Sequence, residues 1–534
     1  MSLTKYKLIA DPRLTMADFW DRAARVFGPR TVALLDEPLE YESMQVDSLT
    51  YEDVLAFVNK MGNALLEIGV KRGDRVVIAM GNRIELLLLC YSCFKIGAIA
   101  VPLNYMLKSS EIRYIAGNCG ASALVTDRDI FDVNIRSKDE IPTVTSWMMA
   151  GPRSSCLEGF ASLDELLDEV PATLEPAHVD SSETCAIFYT SGTTGYPKGA
   201  MMTSKNLLTT QRITAAMLPI GSEDLGVSAL PGAHLMGFCI ALICFMLGTP
   251  GYFLKYFQPK KVLSIIEEKK ATVFVGVPAM YQILAHSRIE DYDLSSMRLW
   301  ASGADAMKVE LIEQFMSYGG VFFEGYGQVE TSPITALKLS TMKLRFEQGC
   351  VGIPVWPVKT RVWDEQCRDV PKGEPGELVV RGPNITKGYW NDSERNEEAF
   401  RGGWFHTGDM ARKGKFGLLY FVDRKKDVVK AGGYSVFSKE VEEEIRTHPK
   451  VDECAVVGVP HPTKVEIVCA VCTTMPGEEV TGEELLSWCR DNIADYKAPR
   501  YVEVRDEMPY GMTLKVLKRQ LRDDLAAKLD VTKL

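Results

Sequence analysis

Histidine is scarce in this chain, with six in 534 residues and no metal-like cluster among them. Positive charge is not in excess either. The net charge of −10 argues against a nucleic-acid partner and requires any phosphate binding to be local. No long hydrophobic run occurs. The longest, FCIALICFML at 238–247, is too short to span a bilayer, is stopped by GTPG and reads as a core helix. The opening residues MSLTKYKLIADPR lack the apolar stretch of a signal peptide. The 13 cysteines are odd in number and mostly sit in apolar runs, which predicts reduced thiols and a cytoplasmic setting. Two CxxC spacings, Cys90/Cys93 and Cys469/Cys472, lie in LLLLCYSCF and IVCAVCT and read as core packing rather than redox or zinc pairs. Internal repeats and low-complexity segments are also missing.

What is present is an ordinary globular composition, 46% hydrophobic and 25% charged, in a chain long enough for two to four domains. Helix and strand signals alternate. MADFWDRAARVFG is an amphipathic helix ended by Gly28, DRVVIAM a buried strand, IELLLLCYSCFKIGA a helix and AIAVPL a strand. VLSIIEEKK then ATVFVGV, and VELIEQFMSYGG then VFFEGYG, repeat the pattern. This predicts an α/β fold: a large N-terminal domain, residues 1–424, of parallel-rich αβ sheets. From about 345 to 424 the texture turns to hairpins, predicting a β-rich subdomain with turns at DEQCRD and KGEPGE. The charged DRKKD at 423–427 reads as a hinge. A small, mobile C-terminal α+β domain, 425–534, is expected beyond it.

The stretch YTSGTTGYPKG at 189–199 carries the first chemical signal. Gly192, Gly195 and Gly199 allow backbone N–H groups close to an anion. Thr190, Ser191, Thr193 and Thr194 add hydroxyls, and Lys198 adds a point charge suited to phosphate. The loop follows an apolar strand, ETCAIFY, and precedes a short strand and a helix. It is not a Walker A loop: Pro197 stands where a second glycine is needed, and Gly199 follows the lysine. From composition alone a flexible surface loop remains open.

The whole set of motifs resembles the adenylate-forming superfamily of acyl-CoA synthetases, peptide-synthetase adenylation domains and firefly luciferase, over residues 15 to 525. YTSGTTGYPKG resembles its phosphate loop, LPGAHLMG (230–237) its histidine motif, and EGYGQVET (324–331) its adenine and magnesium motif. WFHTGD (404–409) resembles its ribose motif, DRKKDVVKAGGYSV (423–436) its hinge, and PYGMTLKVLKRQL (509–521) its terminal lysine motif. The resemblance implies an ATP site of Thr190, Ser191, Gly192, Thr193, Thr194, Gly195, Lys198, Gly303, Ala304, Gly325, Tyr326, Gly327, Thr331, Asp409, Arg424 and Lys515. Within it, Lys515 bridges the acyl carboxylate and the α-phosphate. Glu330 holds Mg2+, with Thr190 nearby. Tyr326 lies against adenine, and Asp409 and Arg424 take the ribose. His234, Met236, Val277 and Gly303 would line the acyl pocket. Gly432, Gly433 and Tyr434 would line a CoA tunnel, and Lys426 would be the hinge. Read without the resemblance, each has a plainer account: Lys515 a solvated tail residue, Glu330 a turn cap, His234 a satisfied core histidine, Gly432–Gly433 a simple turn.

The implied activity is an AMP-forming acid:CoA ligase using MgATP and CoA as co-substrate. The apolar segments LMGFCIALICF and VFVGVPAMY favour an apolar acid, whether fatty, aromatic or alicyclic, and a carnitine-like acid stays open. The alternatives are an acyl-adenylate transferase to a carrier protein, a luciferase-like oxidase, and an inactive nucleotide-binding relative. Neither a nucleic-acid partner nor a transmembrane segment is expected. Oligomeric state is open, a homodimer among the options. The chain departs from the family pattern at Ser204, Val329, Ala306 and, next to the catalytic lysine, Leu514 where glycine is usual.

Overall fold

Strands with apolar residues on both faces must be covered on both faces, and the helix-strand alternation supplies the covering. The structure, a computed structural model, describes residues 7–190, 196–338, 349–510 and 516–531. Two compact units are resolved. One comprises Met1–Arg345, Val351–Lys359 and Val380–Phe405, and the other Phe346–Cys350, Thr360–Val379 and His406–Leu534.

The first unit holds two mostly parallel sheets. One runs in the order Ala161–Ser162, Ser146–Ala150, Ala123–Asp127, Arg75–Ala79, Ile99–Leu103, Thr184–Thr190, Lys198–Thr203. Its pairings are parallel except the last, where Thr184–Thr190 and Lys198–Thr203 form the antiparallel arms around the phosphate-loop sequence. In the other sheet, Gly226–Ser228, Val273–Gly276, Leu299–Ser302 and Val321–Gln328 lie side by side in parallel. Ser332–Lys338 returns antiparallel to the last of these. The run at 238–247 is helix Leu235–Leu247, with eleven of its residues buried. It is apolar all round because it is enclosed all round. Cys90 and Cys93 are at most 1% exposed, and all 13 cysteines are free thiols, so these spacings are packing.

The second unit contains the antiparallel strands Phe405–Lys413 and Leu419–Arg424, and a five-stranded sheet. In that sheet Val451–His461 pairs antiparallel with Val465–Thr474, and Tyr501–Val504 pairs parallel with the latter. Alternate strand residues take opposite faces. Cys454, Val456, Val468 and Ala470 meet Val441 and Ile445 of helix Ser438–Ile445 and Leu485 and Cys489 of helix Gly482–Asn492. Ala455, Val457, Ile467 and Cys469 meet Leu521 and Leu525 of helix Lys518–Lys528. Leu521 and Leu525 are the buried residues that seat this otherwise polar helix.

The unit boundary differs from a division after residue 424, because residues 360–379 and 406–424 group with the C-terminal part. Asp423 supplies a reason. It is 3% exposed and accepts hydrogen bonds from Ser438 Oγ (3.2 Å) and the Lys439 N–H (3.3 Å), tying the segment before the expected hinge to the helix after it. Among the described residues no helix is long and apolar enough to cross a membrane.

Candidate active site

In parallel sheets, ligands gather beyond the carboxyl ends of the strands. Here those ends carry Val277 after Val273–Gly276, Gly303 and Ala304 after Leu299–Ser302, and Gly325–Gly327 at the end of Val321–Gln328. They are side by side: Gly276 pairs with Ser302, and Ser302 with Glu324. The backbone is close-packed there. A Cβ on Gly303 would lie 3.2 Å from the Gly325 carbonyl oxygen and 3.4 Å from Met236 Cε. A Cβ on Gly327 would lie 1.9 Å from the Ser332 carbonyl oxygen, so only glycine fits. Tyr326 stands between these glycines, opposite Thr335, at a register shift that re-aims the strand.

His234 is the N-cap of helix Leu235–Leu247, and its Nδ1 accepts from the Met236 N–H at 3.2 Å. An accepting Nδ1 puts the proton of a neutral ring on Nε2. The helix can begin here because Gly237 packs against the Pro231 carbonyl oxygen, 2.2 Å from where a Cβ would be. His234 and Met236 thus form one wall, with Met236 against Gly303. Val277 caps the neighbouring helix Pro278–Ala285.

Thr190 and Lys198 are register partners at the tips of the loop arms. Ser191, Gly192, Thr193, Thr194 and Gly195 lie outside the described residues, as do Leu514 and Lys515. Gly199 is required by contact: a Cβ would lie 2.7 Å from Ile187 Cγ2 and 2.9 Å from the Tyr189 ring. The 199–201 edge pairs with 387–390 through Trp390 N–H to Gly199 O (2.8 Å) and Met201 N–H to Gly388 O (2.9 Å). That pairing seats Tyr389, a residue the sequence analysis did not single out. Its ring lies 5.5 Å from Lys198 Nζ, and its hydroxyl donates to Glu330 Oε1 at 2.9 Å. Burial and the Glu330 carboxylate both push the Tyr389 phenol well above its ordinary range, so it stays a donor. Glu330 is further held through its carbonyl, which accepts from the Thr386 N–H at 2.7 Å. Lys198, Tyr389, Arg395, Tyr114, Tyr196 and Trp390 line a cavity of about 220 Å³, smaller than the roughly 300 Å³ at which ligand pockets begin.

Thr331 is fully buried, and its hydroxyl accepts from Gln328 N–H (2.9 Å) and donates to Ser332 O (3.0 Å). In this arrangement it closes the turn that carries Glu330. Asn384 Nδ2 donates to the Thr331 carbonyl at 2.6 Å and locks the turn from behind.

In the second unit, Asp409 is fully buried and pairs with Arg424, Nε to Oδ1 at 3.0 Å, on directly opposed strand positions. Glu377 is buried on the strand Gly376–Arg381, next to Phe405–Lys413 in the sheet, accepting from Lys425 Nζ (2.8 Å) and bonded to His406 Nδ1 (3.0 Å). Burial alone would raise its pKa; the His406 and Lys425 hydrogen bonds outweigh it and hold the carboxyl at about 2. Lys426 is exposed. Gly432 and Gly433, at φ +57° and +87°, form the two-residue turn between Val429–Ala431 and Tyr434–Val436. No described atom lies within 4 Å of a Cβ placed on either, so the turn conformation alone already calls for glycine. Tyr434 is 58% exposed and its ring lies 5.0 Å from that of Tyr496.

A Mg2+ site of the expected kind is consistent with these residues. Among the described residues no three metal-binding side chains cluster, and a single oriented carboxylate, Glu330, is what a magnesium ion held mainly by phosphate and water asks of a protein.

Residues 20–390 match the family described as AMP-binding enzyme, and residues 440–512 match the AMP-binding enzyme C-terminal domain. The chain is 35% identical over 477 residues to a feruloyl-CoA synthase of Amycolatopsis sp, covering 89% of this chain and 94% of that protein. It is 31% identical over 510 residues to a long-chain-fatty-acid–CoA ligase of Bacillus subtilis, covering 89% and 90%. The fold superposes on ATP-bound MatB from Rhodopseudomonas palustris with a TM-score of 0.85 at 27% identity, covering 96% of this chain and 99% of that one. With the glycine-crowded strand ends, the Lys198–Tyr389–Glu330 array and a family match over most of its length, the chain belongs to the AMP-binding enzymes, the family of the AMP-forming acyl-CoA synthetases.

Proposed function

We propose that this enzyme is an ATP-dependent carboxylic acid:CoA ligase acting on an apolar acid. In the first step an acid carboxylate oxygen bonds to the α-phosphorus of ATP, and the α–β phosphoanhydride bond breaks to release pyrophosphate. In the second the CoA thiolate bonds to the acyl carbon, and AMP leaves with the carboxylate oxygen it acquired. The thiol proton goes to solvent.

The observation that carries this reading is Glu330, aimed by the Tyr389 hydroxyl beside the cation of Lys198. A phosphate chain needs cationic charge and hydrogen-bond donors along it as negative charge shifts to the leaving oxygens. Lys198 and the loop 190–195 are proposed for the phosphates, with Glu330 and Thr190 as magnesium ligands. When bound, the metal would neutralise phosphate charge. Tyr326, Gly303, Ala304, Gly325 and Gly327 are proposed for adenine; Thr331 acts by shaping the turn that carries Glu330. His234, Met236 and Val277 are proposed for the acid, with the mostly apolar helix 235–247 supporting an apolar acyl group. Asp409 and Arg424 are proposed for ribose, Lys515 for the carboxylate and α-phosphate, Lys426 as hinge, and Gly432, Gly433 and Tyr434 for the pantetheine arm. The free cysteines support a reducing, cytoplasmic setting.

The test is pyrophosphate release with MgATP across fatty, aromatic, alicyclic and betaine acids, with and without CoA. Acid-dependent release with AMP and thioester formed in CoA supports the ligase. A single equivalent unmoved by CoA points to a carrier protein as acceptor. ATP binding without release from any acid supports an inactive relative.

A further inference from the structure

The cavity of about 220 Å³ beside Lys198 is lined largely by residues that belong to none of the sequence motifs: Tyr114, Asn118, Trp390, Asp392 and Arg395. It lies below the roughly 300 Å³ of pockets for larger ligands, so a nucleotide or an acyl chain is excluded and a small inorganic ion fits.

The polar groups of the lining are mostly donors. Lys198 and Arg395 flank one ring, that of Tyr389, with Nζ 5.5 Å and the guanidinium carbon 6.0 Å from its centroid. Asp392 offsets one of these charges. Its pairing with the Arg395 side chain is long, 3.4 Å, and engages a single nitrogen of a group with five N–H donors. Trp390 Nε1 is buried, and no described atom accepts its proton. Asn118 Oδ1 accepts from the Tyr189 hydroxyl at 2.6 Å, which fixes the amide and leaves Nδ2 as its donor end. Two cations against one carboxylate, with an indole and an amide donor, answer an anion rich in acceptor oxygens. Arginine is the side chain best shaped for phosphate among them.

The position of the cavity indicates where such an anion comes from. Lys198 is the register partner of Thr190 across the phosphate-loop arms, and the Tyr389 hydroxyl bonds Glu330. One wall therefore backs onto the proposed phosphate and metal groups. Another wall is the stacked pair Tyr114 and Tyr196, with ring centroids 4.7 Å apart, and Tyr196 is 64% exposed. The cavity lies between the proposed reaction site and solvent.

We propose that this cavity is a binding site for a small inorganic phosphate anion, and that its occupant is the pyrophosphate released in the adenylation step. Arg395, Asn118 Nδ2 and the Trp390 indole N–H hold it on its way out, together with Lys198. The identity of the occupant rests on the ligase reading; the anion site does not. Lys198 serves both ATP and product, whereas the other three act on the product, so their removal separates pyrophosphate from ATP.

The experiment titrates the full-length protein calorimetrically with magnesium pyrophosphate and, separately, with inorganic phosphate. It also measures KM for pyrophosphate in ATP formation from acyl-AMP, and KM for ATP in the forward direction. Arg395→Gln should weaken pyrophosphate binding by about 10-fold or more, the loss of a charge-assisted contact. The ratio of the pyrophosphate KM to the ATP KM should rise by a similar factor, which a general loss of structure would not produce. Asn118→Asp keeps the acceptor for Tyr189 and sets a negative charge in place of the donor, and should weaken binding at least as much. It is the variant to use should Arg395→Gln fail to fold. Pyrophosphate binding that is absent in the wild type, or unchanged in both variants, overturns the proposal and leaves the ligase standing. Phosphate bound as tightly as pyrophosphate, with the same loss in the variants, overturns the assignment to the product and makes the cavity a site for free phosphate. If no acid releases pyrophosphate but its binding is present and lost in the variants, the anion site stands and the ligase reading falls.

Discussion

At the scale of single residues, Tyr389 shows how a site residue can be set by one hydrogen bond. Its phenol reaches Glu330 at 2.9 Å while its ring flanks Lys198, so one side chain orders the proposed metal ligand next to the proposed phosphate cation. A hydrogen bond to a charged group contributes about 1.5–3 kcal/mol, or roughly 10- to 100-fold in a binding or rate constant. Tyr389→Phe should therefore raise the magnesium concentration for half-maximal pyrophosphate release by at least about 10-fold. Thermal stability should fall by no more than the same hydrogen bond contributes to the fold. A magnesium titration of both proteins checks this, and an unchanged half-saturation would refute the role. Nothing in the short stretch KGYWND marks Tyr389 as a site residue. Its partner Glu330 is 59 positions away, and only the bridge between 199–201 and 387–390 brings them together.

At the scale of elements, close backbone contacts fix where glycine is obligatory. Gly237 opens helix Leu235–Leu247 against the Pro231 carbonyl, and the 2.2 Å separation from an added Cβ can be relieved only by moving backbone. Gly237→Ala should destabilise by about 2–3 kcal/mol, in the range of overpacking, and should also disturb His234 at the cap. Gly117 is the control. It lies exposed near the end of helix Ser109–Cys119 with nothing within 4 Å of an added Cβ, and its φ is not positive. Gly117→Ala should stabilise by about 0.5–1 kcal/mol through helix propensity. Denaturant midpoints of the two variants should move in opposite directions.

The strand pair around Glu377 carries a pH dependence. Its carboxyl, ordinarily at 4.5, is held at about 2 in the folded protein, so the folded state favours the carboxylate. The contribution is fully present above about pH 4.5 and is lost as pH falls from there toward 2. Glu377→Gln should be less stable than wild type at pH 6, with the gap in denaturant midpoint closing as pH drops toward 3. A gap constant with pH would show that burial, not ionisation, matters there.

At the scale of the whole molecule, the expected chemistry needs two tasks from the C-terminal part: a lysine for adenylation and a glycine turn for the thiol. Lys515→Ala should abolish acid-dependent pyrophosphate release by about 100-fold or more, through loss of transition-state charge stabilisation. It should leave thioester formation from synthetic acyl-AMP and CoA within a few-fold of wild type. Equal losses in both half-reactions would mean that one arrangement serves both. Any rotation at Lys426 must also reckon with Asp423, which bonds Ser438 and Lys439 beyond the expected hinge.

The sequence by itself determined the α/β architecture and the family. Burial of apolar strands needs covering helices, and phosphate chemistry needs glycines, hydroxyls and a lysine in fixed order; both are local demands written in short motifs. It also determined that the CxxC spacings are packing, since a thiol in an apolar run on a buried element is driven inside. Tertiary structure alone decided that Tyr389 aims Glu330, that Asp423 ties across the expected hinge, and that Lys518–Lys528 seats on the sheet. Each depends on which distant segments meet. Hydrogen bonding and burial are settled by that meeting, and periodicity or spacing along one strand of sequence does not encode it.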